Sequence, residues 1–150
     1  MIFKFYFWLI LFSVNLLNSR VLIPDGNLES EGLLINDKHR KYYKVSKKMN
    51  RYSVQGPSKI SIFARKAVPH KDIKKQKYKI VLIENGISKE IYFNEKINTN
   101  VSSFSHPRHN YTSAAKYEIS FPDGDHSFLI GLDGFFPDPI LVRVVEHKNN

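Results

Sequence analysis

The chain contains no cysteine. That excludes disulfides, thiolate metal sites, a thiol nucleophile and lipid attachment through a cysteine. Small exported domains often depend on disulfide cross-links, so an exported chain of this composition is held by its core alone or with a bound metal. Tryptophan is nearly absent too: Trp8 is the single example. Acidic residues are few, 14 against 23 Lys and Arg, and the formal net charge is +9. There is no Gly-x-Ser-x-Gly elbow, no glycine-rich phosphate loop, no calcium-loop spacing and no repeat of fixed period. Positive support for an enzyme is therefore missing, and the chain is read as non-catalytic, with no cofactor and no metal. No nucleic-acid-binding motif accompanies the basic charge. A helical apolar period is not found either.

One apolar run stands out. Lys4 leads into Phe5–Val14, and the run ends at Leu16-Leu17-Asn18-Ser19-Arg20. A short positive lead, an apolar stretch and a small residue before a polar break describe a secretory signal peptide, cut after Ser19. Ser13 and Asn15 interrupt the run, and spanning a membrane needs about 20 apolar residues. An uncleaved leader would be the one route to a membrane. The expected mature chain has about 130 residues, enough for one domain without staples. Secretion, or residence in a periplasm or cell envelope, follows as an expectation. A basic exported protein drifts toward anionic surfaces.

Residues 20–39 carry turn residues too often for a long element and read as a linker or irregular segment, with a first strand around Leu33–Ile35. Residues 40–147 read as the folded domain. From Tyr42 the apolar period is two. Tyr42–Val45 and Tyr52–Gln55 are short strands, and Gly56-Pro57 punctuates. In the next strand Ile60, Ile62 and Ala64 share one face, with Lys59, Ser61 and Arg65 on the other, the pattern of a half-buried strand with that second face toward solvent. Asn85-Gly86 is a two-residue turn signal. It pairs Glu84 with Ile87, Leu82 with Lys89, Ile80 with Ile91 and Tyr78 with Phe93. Tyr78, Ile80, Leu82, Ile91 and Phe93 then form a core face. Asp123-Gly124, preset by Pro122, predicts a second hairpin pairing Phe121 with His126, Ile119 with Phe128 and Tyr117 with Ile130. Val101–Phe104 is a short strand, residues 105–113 a loop, and Ile140–Val145 a last, central strand. About seven to eight short strands with turns every ten residues or so predict an all-β antiparallel sandwich, immunoglobulin-like; a small barrel is the alternative.

Two features are candidate binding sites. Phe135 and Phe136, between Gly134 and Pro137, project from the sheet end or fold back to plug the core. Lys74, Lys75 and Lys77, within the run Lys71–Lys79, grip anions or protect an edge strand from pairing. The partner is an unidentified protein or an anionic cell-surface polymer. His106 and His109, with Asp123, Asp125, Asp133 and Asp138, supply the residue types of a metal-dependent hydrolase. The plainer reading is loop histidines and turn aspartates.

Gly56-Pro57-Ser58-Lys59-Ile60 running to Arg65, Phe121-Pro122-Asp123-Gly124-Asp125-His126, and Leu141-Val142-Arg143-Val144 together resemble small exported bacterial β-sandwich proteins of unassigned function. That resemblance implies a fold and no activity. Pro122-Asp123-Gly124 through Asp133-Gly134 and Asp138-Pro139 are similar to the end of glycogen-binding sandwich modules of the early-set type. Those modules bind glucan through tryptophans, and Trp8 leaves with the leader. A glycan-binding module is the function this second resemblance implies.

Overall fold

A computed structural model describes residues 18–26, 29–69, 71–72 and 74–148. Most of the signal-peptide segment, up to residue 17, lies outside the described residues. Eleven strands occur among the described residues: β1 (Asn18–Leu22), β2 (Ser30–Ile35), β3 (Lys38–Val45), β4 (Asn50–Pro69), β5 (Gln76–Glu84), β6 (Ile87–Glu95), β7 (Ile97–Asn98), β8 (Val101–Ser103), β9 (His109–Thr112), β10 (Ala115–Gly131) and β11 (Ile140–Lys148). The all-β antiparallel sandwich stands, with more strands than the expected seven to eight. The stretch 20–39, expected to be linker or irregular, carries most of β1 and all of β2. Residue 109 onward, expected as loop, forms β9.

The sheet runs β6-β5-β10-β4-β11-β3-β2-β8, with β1 on β11, and β9 joining β4 to β7. Two long strands turn its corner. The first part of β4 pairs with the last part of β10, Val54 opposite His126 and Tyr52 opposite Phe128. The second part of β4 pairs with the first part of β10, Ile60 opposite Ile119 and Ala64 opposite Ala115. Between the two lies a register shift from Phe121 to Gly124. There Pro122 and Asp123 oppose the single residue Pro57, which is a β-bulge. Strands that change layers do so at such bends. The two layers then face each other: the Tyr78 hydroxyl on β5 donates to the Ala64 carbonyl on β4, 3.0 Å away.

Asp123-Gly124 therefore makes no hairpin, and Gly56-Pro57 ends no strand. Gly124, at a φ of 105°, provides the left-handed backbone of a bulge instead of a turn. The predicted shared face survives the correction. A two-residue hairpin and a one-residue bulge both switch the parity of the inward positions. Phe121 and Phe128 are buried in the main core, Tyr117 and Ile119 pack against it, and the His126 ring lies 5.1 Å from Phe121.

The other hairpin is as read. Tyr78 faces Phe93, Ile80 faces Ile91 and Leu82 faces Lys89, around Asn85 and Gly86 at φ of 52° and 74°. Strand β11 is central, between β4 on one side and β1 and β3 on the other. Both of its faces are covered. Ile140, Val142 and Val144 join Ile60, Ile62 and Ala64 in the main core. Leu141 belongs to a second, smaller cluster with Leu33, Tyr42, Ala67, Val101 and Tyr111. Ser61 and Arg65, expected on a solvated face, are consequently buried.

Candidate functional site

Strands β3 and β4 are joined by a tight turn at one end of the sandwich. The Leu132 amide donates to the Ser46 carbonyl (3.0 Å), and this bond fixes that turn against the segment that follows β10. Residues 132–139 then cross to β11, and the Ala67 amide on β4 holds the Pro139 carbonyl at 2.9 Å. A cavity of about 450 Å³ lies between the two connections. Its floor includes Val45, Leu132 and Ile140, all buried. Its walls include Phe135, Phe136 and Pro137, and its rim Lys44, Lys47 and Lys48.

Phe135 and Phe136 do not plug the core. Phe135 is 87% exposed and Phe136 36%. Gly134 and Pro137 on either side leave the loop unable to continue a strand, so the rings stay at the sandwich end. An isolated exposed aromatic is ordinary; one beside an apolar cavity forms a platform for a flat apolar face. Lys47 and Lys48 are exposed and make no ion pair among the described residues, while Lys44 sits 3.5 Å from Glu29.

Side chains tie this loop to the basic strand. Lys79 on β5 donates to Asp133 at 2.9 Å and to Glu90 at 2.8 Å. Lys66 on β4 lies 3.6 Å from Asp138 and donates to Gln76 at 3.0 Å. Both ends of the Phe135–Phe136 loop are thereby held by lysines. The hydrogen bond from Lys79 keeps the Asp133 carboxyl below its ordinary range. Bonds to Glu90 and Asp133, in that order, raise Lys79. Lys79 also lies 5.7 Å from the centre of the exposed Tyr92 ring.

Lys74, Lys75 and Lys77 are all exposed. Asp72 organises the start of this run: it accepts from the Lys74 amide and the Gln76 side-chain amide, both at 3.0 Å. Those two bonds hold the Asp72 carboxyl below its usual range. Lys77 points to the same side of β5 as Lys79, two residues on. Strand β6 pairs with β5 along its whole length on one side, whereas β10 on the other side pairs only with Val81–Glu84. Among the described residues the β10 side of Gln76–Ile80 has no strand partner, so the edge-protection reading still applies to Lys77 there. The sequence proposed the aromatic loop and the basic strand as separate sites; the fold places them side by side. It did not point to Lys44, Lys47, Lys48 or Leu132, which meet the loop only through the pairing of distant segments.

The remaining candidates scatter. His106 and His109 stack, with ring centres 4.8 Å apart. His126 stands at the corner, its Nε2 3.0 Å from the Pro122 carbonyl. Asp123 lies in the bulge and Asp125 just after it, whereas Asp133 and Asp138 pair with lysines at the other loop. Among the described residues no group of three or more His, Cys, Asp or Glu could hold a metal ion. The ligand set of the metal-dependent hydrolase reading is not brought together.

The architecture defines the chain as an antiparallel β-sandwich. No family profile and no curated protein matches it. Solved structures similar in fold include the CBM36-1 domain of a multidomain xylanase from the hindgut metagenome of Trinervitermes trinervoides. That domain is 8% identical with a TM-score of 0.46, over 89% of this chain and 98% of that one. The catalytic domain of GH87 alpha-1,3-glucanase in complex with nigerose is 12% identical with a TM-score of 0.38. It is matched over 92% of this chain, which spans only 27% of the glucanase chain. Likenesses this distant carry nothing about a ligand.

Proposed function

We propose that the protein is an exported, non-catalytic binding module that holds an acidic polysaccharide at the Phe135–Phe136 end of the sandwich. The observation that carries this reading is the 87% exposure of Phe135 beside an apolar-floored cavity whose rim lysines, Lys47 and Lys48, lack carboxylate partners among the described residues. A sugar ring has an apolar face to lay on Phe135, and the carboxylate or sulfate groups of an acidic polymer meet the lysines. Lys74 and Lys75, just before β5, and Lys77 on it extend the same positive field. Surface charge of this kind contributes mainly to encounter, and the aromatic loop to residence.

Retention on immobilised acidic polysaccharide tests the reading. Retention should fall as salt rises, because exposed charges are screened over about 8 Å at physiological ionic strength. Phe135→Ser should weaken it at every salt concentration, and the double change Lys47→Gln with Lys48→Gln should weaken it chiefly at low salt. Equal retention of Phe135→Ser and the unaltered protein would overturn the loop-end assignment. Retention on an uncharged insoluble glucan that survives high salt would move the reading to stacking alone.

A further inference from the structure

On the face of β11 turned away from the main core, a groove of about 330 Å³ is lined by Lys38, Arg40, Arg65 and Arg143, with Tyr42 and Phe63 among them. Among the described residues no carboxylate lines it. The strand registers explain the gathering. Arg143 on β11 is directly opposite Phe63 on β4. Val142 is opposite Tyr43 on β3, so Arg143 comes next to Tyr42, with Arg40 two residues further along the same face. Four positive charges from three strands thus meet in one concavity.

Arg65 is 6% exposed. Its Nε donates to the Tyr42 hydroxyl at 3.1 Å and its Nη1 to the Thr112 carbonyl at 2.8 Å. Its guanidinium carbon lies 5.6 Å from the centre of the Tyr42 ring. The group is locked in place by neutral partners only. Arg143 is half-buried and its side chain makes no hydrogen bond or ion pair among the described residues. Arg40 donates only to the adjacent His39 carbonyl, at 3.2 Å. Buried charges ordinarily have a countercharge. Here none is provided among the described residues. Burial pulls the Arg143 guanidinium below its ordinary value, and repulsion from Arg40 adds to that while Tyr42 opposes it.

We propose that this groove is a second binding site, separate from the Phe135 cavity, and that it takes a tetrahedral oxyanion: the phosphate or sulfate group of a small ligand or of a polymer. Guanidinium groups present planar pairs of N–H donors that match the oxygens of such a group. A lysine on the rim adds a point charge. An anion seated there relieves the repulsion between Arg40 and Arg143, while Arg65, with Nε and Nη1 held by Tyr42 and Thr112, has its Nη2 left to offer.

The test is thermal unfolding of the full folded protein with inorganic phosphate or inorganic sulfate, against sodium chloride at the same ionic strength. The melting temperature should rise with phosphate or sulfate and not with chloride, in a saturable manner. Arg143→Gln and Arg40→Gln should each weaken the anion at least about tenfold, read as the concentration giving half the rise. Arg143→Lys keeps the charge and should recover only part of the loss. Phe135→Ser should leave the response intact, so this inference and the polysaccharide reading fail separately. A sulfated oligosaccharide tighter than free sulfate would identify an ester as the source; free sulfate binding equally would identify the free anion. No rise beyond that of chloride, or a rise unchanged in both arginine variants, would overturn the proposal.

Discussion

Gly56 lies so close to Pro122 that a Cβ built on it would stand 1.6 Å from the Pro122 carbonyl oxygen. Here β4 and β10 cross from one layer to the other, and Gly56 is opposite Gly124 across the bulge. The contact is with backbone, which cannot swing aside as a side chain does. Gly56→Ala should therefore destabilise the protein by about 1–3 kcal/mol, the ordinary cost of forced overpacking, or prevent folding. Urea unfolding monitored by circular dichroism measures it. Gly32 has no atom within 4 Å of such a Cβ, so Gly32→Ala at a site of similar chemistry is the control and should be close to neutral.

The Tyr78 hydroxyl crosses the core to the Ala64 carbonyl, and burial raises its pKa. Tyr78→Phe keeps the ring and removes this one hydrogen bond across the layers. The cost should be about 0.5–1.5 kcal/mol in urea unfolding, the net contribution of one hydrogen bond. Tyr92→Phe removes a hydroxyl that donates to Glu90 on an exposed ring and should leave the urea midpoint unchanged.

Lys79 ties Asp133 to β5 with both groups at the surface. Exposed ion pairs contribute little to global stability, yet this one holds the entry to the Phe135–Phe136 loop. Asp133→Asn should leave the urea midpoint unchanged while speeding amide hydrogen exchange over residues 132–138. It should also weaken polysaccharide retention, because a looser platform loses preorganisation.

Bonds from Lys116 and then Lys59 pull Glu118 from the ordinary glutamate range near 4.5 to about 2. A carboxyl whose folded pKa is depressed stabilises the fold above its unfolded pKa. That contribution disappears as pH falls through the folded value. The loss should therefore run from about pH 4.5 down to about pH 2, and Glu118→Gln should flatten the acid limb of the stability curve there. A carboxyl-carbon NMR titration should place Glu118 well below an ordinary glutamate, and Lys116→Met should raise it.

The hairpin from Gln76 to Glu95 was legible residue by residue because everything that sets it is local: the Asn85-Gly86 turn and the alternation on either side. The corner at Pro122–Gly124 was misread for a physical reason. Hairpin and bulge impose the same switch of parity, and only the pairing with β4, some seventy residues earlier in Gly56 and Ser58, decides between them. The half-buried pattern at Ile60–Arg65 misled likewise, since the cover over Ser61 and Arg65 comes from β3, β9 and β11. The aromatic loop could be picked out by its Gly134 and Pro137 borders. Its neighbours Lys47, Lys66 and Lys79 could not, being distant in sequence. Arg65 went unread because its face was expected to be the solvated one of a half-buried strand, and Arg143 because its strand was read only as central, with no partner strand assigned to either side.

The Phe135–Phe136 end of the sandwich is the binding surface proposed above. Amide chemical-shift mapping of the isotopically labelled protein, titrated with an oligosaccharide of an acidic polymer, tests it directly. Saturable shifts concentrated in residues 44–48 and 132–139, lost in Phe135→Ser, are the expected result. An absence of shifts there, or the same shifts in the Phe135→Ser variant, would contradict it.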